Sequence, residues 1–130
     1  MALRTKCILK PPKDADGLRI SVMSRHTLSD GITPDDRITP ASYDIHMPEL
    51  APSAKLLGDY YKRKLHWTVF EQRYLEEIRA KEPDLLTLAK RALKEEITLL
   101  CIEETPEKCH RLLLAEECAR LVPSLTIKCY

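Results

Sequence analysis

Apolar positions in this chain follow strand and helix periods on either side of a long irregular stretch. Thr5 to Leu9 is a short mixed run that fits a first strand, and Pro11 to Gly17 then reads as a turn. Leu18 to Met23 alternates apolar and polar side chains, as a strand does, and its end delivers Ser24, Arg25 and His26. Residues 27–54 hold Pro34, Pro40, Pro48 and Pro52 with Gly31, which excludes a long helix. A connection of that length inside a compact domain is usually functional, disordered or misread, and short turns or a helical turn fit within it. Helical patterning returns over Ser53 to Tyr61. Thr68-Val69-Phe70-Glu71 has the form of a capping box, and the helix behind it places Phe70, Tyr74 and Ile78 on one face. These aromatics, with Trp67, read as core. Pro83-Asp84 opens another helix, with Leu85, Leu88, Ala89, Ala92 and Leu93 at helical spacing. Ile97 to Ile102 is the most strand-like run, and its nearly continuous apolarity predicts a strand covered on both faces. Thr105-Pro106-Glu107 marks a helix start, with Thr as N-cap and Pro first in the helix. That helix runs to about Leu121, and Leu125 to Tyr130 fits a last strand.

This order predicts a single α/β domain over residues 1–130, with helices covering a mixed or mainly parallel sheet. The C-terminal third reads as a βαβ unit, implying a parallel strand pair joined by a right-handed crossover.

Composition narrows the function classes. The 130 residues suit one domain, and 44% apolar with 32% charged residues is the balance of a globular chain. The net charge is +1 with the signs well mixed, so the electrostatic footprint of a nucleic-acid binder is missing. Lys62-Arg63-Lys64, beside Tyr60, Tyr61 and Trp67, reads as a solvated helix flank. No apolar run approaches the ~20 residues that cross a membrane, and Met1 to Lys6 has no signal-peptide pattern, so a cytoplasmic location is expected. The five cysteines are odd in number, widely spaced and without a CxxC pair. They read as thiols, not a disulfide framework, and a zinc ribbon or thioredoxin-type motif is excluded. Dinucleotide-binding, P-loop, nucleophile-elbow and HExxH motifs are all absent.

The candidate site follows from where ligands bind in open α/β sheets, beyond the carboxyl ends of the strands. One strand delivers Arg25 and His26. Another delivers Cys101 and Glu103, followed by the helix start with Cys109, His110 and Arg111. Arg25 and Arg111 are candidate anion clamps beside a helix N-terminus, with pairing to Glu103 and Glu104 as the structural alternative. Cys109 next to His110 near that N-terminus is a candidate nucleophile or acid–base pair with a lowered thiol pKa. The alternative is that Cys109 packs as a small hydrophobe, the role also expected of Cys7, Cys101, Cys118 and Cys129. Accessory roles fall to His26, Cys101 and Glu103. Cys101, Cys109, His110 and His26 would supply four metal ligands, but Cys-x7-Cys-His matches no standard zinc spacing, and no metal ligand is assigned.

Several of these pieces resemble the YeaO-like bacterial proteins, domain-of-unknown-function family 488. The matching pieces run in order: Asp16-Gly17-Leu18-Arg19-Ile20-Ser21-Val22 into Ser24-Arg25; Leu50-Ala51-Pro52-Ser53 with Leu56; Trp67, Phe70, Tyr74 and Leu75; and Ile97 to Cys101 with Glu103 and Cys109-His110-Arg111. Members of that family tend to follow the strand arginine with Trp-Pro-Arg-Gly, whereas Arg25 is followed here by His26-Thr27-Leu28-Ser29-Asp30-Gly31. The resemblance implies an α/β fold and no particular activity.

The leading expectation is a small enzyme or ligand-binding domain that takes an anionic small molecule (phosphate, nucleotide or carboxylate) at the strand ends. The second is a protein-interaction module working through residues 27–54 and Lys62–Lys64. The third is a thiol-redox or metal-binding protein, whose redox form needs Cys101 and Cys109 within about 7 Å between Cα atoms. No cofactor or oligomeric state follows from the residues.

Overall fold

The computed structural model describes residues 2–28, 30, 32–102 and 109–129. Five strands and four helices follow in this order: β1 (Ala2–Cys7), β2 (Leu18–Ser21), β3 (Ile45–His46), α1 (Ala54–Lys62), α2 (Trp67–Arg79), α3 (Glu82–Lys94), β4 (Ile97–Cys101), α4 (His110–Leu121) and β5 (Thr126–Cys129). The strands form one sheet in the order β3-β2-β4-β1-β5, and every pairing is parallel. The chain is thus an α/β domain with a parallel sheet. β4, α4 and β5 make the expected βαβ unit, but β1 lies between its two strands, so they are parallel without being neighbours. No helix among the described residues is long and apolar enough to cross a membrane.

Register explains why the sheet has two unlike faces. Leu3, Thr5 and Cys7 stand beside Ile97, Leu99 and Cys101, and Leu18 and Ile20 continue the same rows on β2. Alternation puts all of these on one face. That face packs against Leu56, Phe70, Tyr74, Ile78, Leu85, Leu88, Leu113, Leu114 and Cys118, so all four helices share its core. The other face carries Arg4, Lys6, Arg19, Ser21 and Thr98. β4 is covered on both faces, as its sequence predicts, but helices form only one cover.

The second cover is the β1–β2 connection, held by charge. The Asp16 carboxylate accepts from Lys6 Nζ at 2.8 Å and from Arg19 Nη1 at 2.6 Å, and all three residues are buried. The Asp16 carbonyl accepts from Thr98 Oγ1, while Arg19 reaches the carbonyls of Ser42 and Lys10. Gly17 follows at φ +62°, and a Cβ there would run into the Glu96 carbonyl. That carbonyl accepts from Leu18 N, so the close approach starts β2 in register with β4.

Three elements differ from the sequence expectation. Residues 27–54 contain the short strand β3, whereas their 3-10 turn at Pro48–Leu50 is of the short kind the segment allows. The α2 cap is His66, whose Nδ1 accepts from Thr68 N; Thr68 sits inside the first turn and not at the cap. Cys129 is exposed on the edge strand β5, whereas Cys7, Cys101, Cys109 and Cys118 are buried as expected. The expected helix start at Thr105-Pro106-Glu107 lies outside the described residues. α4 is described from His110, with Cys109 as its N-cap.

Candidate functional site

The carboxyl ends of β2 and β4 and the start of α4 meet at one place. After β2 the chain delivers Met23, Ser24 and Arg25, β4 ends with Cys101, and α4 opens with Cys109 and His110. All six line one half-open cavity of about 1030 Å³. α1 and α2 form a wall with Tyr60, Tyr61, Trp67 and Phe70, and Lys62 stands at the mouth. These rings are already packed on one another: Trp67 and Phe70 stack at 5.0 Å, and Tyr60 lies 4.7 Å from Phe70. The 27–37 loop closes a third side with Leu28, Asp30, Asp35 and Arg37. Its charges are partly spent within the loop. Arg37 pairs with Asp35 at 2.8 Å, and Asp30 accepts from Ile32 N, Thr33 N and Thr33 Oγ1.

At the floor the geometry is specific. His110 Nε2 lies 2.7 Å from the Val22 carbonyl, which can only accept, so Nε2 carries the proton. In the neutral ring the Nδ1 lone pair then faces the Cys101 sulfur at 3.8 Å. The Tyr74 ring meets His110 edge-on at 5.4 Å, and the Tyr74 hydroxyl donates to the Leu50 carbonyl. Cys109 is 2% exposed. Burial, then the neighbouring Cys101 thiol, push its pKa up, against a smaller downward pull from His110. The lowered thiol pKa expected from a helix N-terminus is therefore overturned, because the group is removed from water.

The remaining candidates scatter. Arg111 is fully buried, lies outside the cavity lining, and donates from Nη1 to the Cys109 sulfur at 3.4 Å. That contact ties it to the floor of the site. His26 turns away to Ser21 Oγ at 2.7 Å and packs on Tyr43 and His46, outside the lining. Burial, then His46, hold its pKa below the ordinary value. Glu103 and Glu104 lie outside the described residues. The aromatic wall is the part that sequence reasoning missed, since it assigned Trp67 and Phe70 to the core and Tyr60 and Tyr61 to a solvated helix flank. Its signal was Tyr60-Tyr61 and Trp67 clustered around a basic run.

A family model described as the active DUF488-N3 subclade, DUF488-N3a, matches residues 3–120. The chain belongs to the DUF488-N3 family. No curated protein and no solved structure matches it. The motif pieces of this DUF488-N3 protein interlock in space. Val22 of the first piece holds His110 of the fourth, and Leu50 of the second holds Tyr74 of the third.

Proposed function

We propose that this DUF488-N3 protein takes an anionic small molecule into the strand-end cavity, with Cys109 and His110 at the floor as the groups available for chemistry. The observation carrying this reading is that one cavity joins Arg25 and Lys62 to an aromatic wall and to the Cys101–Cys109–His110 floor. A volume of about 1030 Å³ suits a ligand up to nucleotide size. Arg25 supplies planar, bidentate recognition of phosphate or carboxylate, and Lys62 adds positive charge. Trp67 and Tyr60 offer ring faces to a planar ligand. The buried free thiols fit a reducing compartment such as the cytoplasm.

A thermal-shift screen against phosphate, sulfate, nucleotides and dicarboxylates tests the reading. A ligand at a hundred times its Kd adds about 2.7 kcal/mol, a shift of several degrees. The shift should shrink in Arg25→Ala and in Lys62→Ala, both of which replace exposed side chains. No shift with any anion would sink it.

A second reading has its own support. Leu28 and Ile32 are exposed on the 27–37 loop, Ile32 at 82%. That suits docking to a protein partner. Rapid cutting within residues 27–37 by limited proteolysis, with no anion shift, would favour it.

A further inference from the structure

We propose that Cys101, Cys109 and His110 form a binding site for a divalent metal ion of the zinc class at the floor of the cavity. The proposal goes beyond the anion-binding reading and does not rest on it.

The two sulfurs and His110 Nδ1 all lie within 4.8 Å of one another, and all three residues are buried. Zinc binds thiolate at about 2.3 Å and imidazole at about 2.0–2.1 Å in a tetrahedron, which implies ligand separations of about 3.5–3.8 Å. The Cys101 sulfur already lies 3.8 Å from Nδ1. Small side-chain rotations are therefore enough to close the cluster around an ion.

The surroundings are those of a metal site. Ligating histidines present one nitrogen to the metal and donate the other N–H to a carbonyl or carboxylate, which fixes the ring. His110 does this, with Nε2 on the Val22 carbonyl at 2.7 Å and Nδ1 toward the sulfurs. Arg111 Nη1 donates to the Cys109 sulfur at 3.4 Å, an outer hydrogen bond suited to a thiolate ligand. Two sulfurs and one imidazole are soft and borderline donors, which select zinc over magnesium or calcium. Each ligating thiol releases its proton to solvent, so loading liberates two protons per ion. All three residues line the cavity, so an ion can reach them from it. Cys-x7-Cys-His fits no zinc knuckle because its halves sit on different elements, the end of β4 and the start of α4.

The test uses the reduced full-length chain, stripped with chelator and titrated with Co²⁺. One equivalent should bind, giving thiolate-to-cobalt charge-transfer absorption and the strong visible bands of a tetrahedral ion, and Zn²⁺ should displace it. The spectrum should be lost in Cys101→Ser and Cys109→Ser. It should persist in Cys118→Ser, which alters an equally buried thiol outside the cluster. Circular dichroism checks that each variant is folded, and the wild-type spectrum counts thiolate ligands without any variant. Absence of charge-transfer absorption in the wild type would overturn the proposal. So would a spectrum unchanged in the Cys101→Ser, Cys109→Ser double variant, or isolation of a Cys101–Cys109 disulfide in protein that takes up no metal. An anion-induced thermal shift measured in chelator reads the cavity mouth alone, so either proposal can fail without the other.

Discussion

The Thr5 hydroxyl is fully buried on the helix-covered face of β1 and has no hydrogen-bond partner among the described residues. A polar group buried without a partner is a cost that an apolar group of the same shape removes. Thr5→Val should therefore stabilise the chain by about 1 kcal/mol, raising Tm by a few degrees in a thermal melt. The opposite holds at Asp16. Burial works to raise its carboxyl pKa, but hydrogen bonds from Lys6, from the Lys13 backbone and from Arg19 prevail and hold it below the ordinary 3.8. A depressed carboxylate stabilises the fold fully above its unfolded value, and that contribution is lost as pH falls through the folded one. Unfolding free energy measured in urea should thus drop below about pH 4, and Asp16→Asn should flatten that drop. At pH 7 the same variant should cost about 3 kcal/mol, because Lys6 and Arg19 stay buried without their counter-charge. Arg111 shows the limit of reading single residues. Arginines are mostly exposed, and only the fold shows that this one lies completely inside, against Cys109.

At the scale of elements, α1 is set in place by Ser53. Its Oγ accepts from Leu56 N, while its own N–H and hydroxyl donate to Glu77 on α2. Ser53→Ala should cost about 1 kcal/mol in chemical denaturation and loosen the α1 side of the cavity wall. Glu77→Gln should reproduce part of that loss. The helices were legible where the apolar period was long: Phe70, Tyr74 and Ile78 on α2, and Leu85, Leu88, Ala89 and Ala92 on α3, are all buried as their spacing predicts. β3 was not legible because two residues, Ile45 and His46, are too short to show an alternation. The α2 cap was misplaced because Thr68-x-x-Glu71 mimics a capping box, while His66 offers a ring nitrogen two residues before Thr68. The site was legible in part. Chain order placed Arg25, Cys101, Cys109 and His110 at strand ends, but it could not show that Val22 aims His110 at the sulfurs, or that Arg111 is fully buried against Cys109.

For the molecule as a whole, the two covers of the sheet divide the labour. The helix layer carries the apolar core and, through α1 and α2, the aromatic wall of the cavity. Trp67→Ala should therefore weaken binding of an aromatic anion such as a nucleotide more than binding of inorganic phosphate, as read by their thermal shifts. The polar layer carries the ion cluster, and its charges have another consequence because β1 comes first in the chain but pairs with β4 and β5, the last strands. Ninety positions separate Cys7 from Ile97. At about 5–20 residues per second a ribosome needs roughly 5–20 s to supply the partner. Throughout that interval β1 is a nascent strand with unsatisfied edges, the kind that associates with other unfinished chains. Arg4 and Lys6 interrupt its apolar run, so the charges that later settle on Glu96 and Asp16 serve beforehand as gatekeepers against misassembly during synthesis.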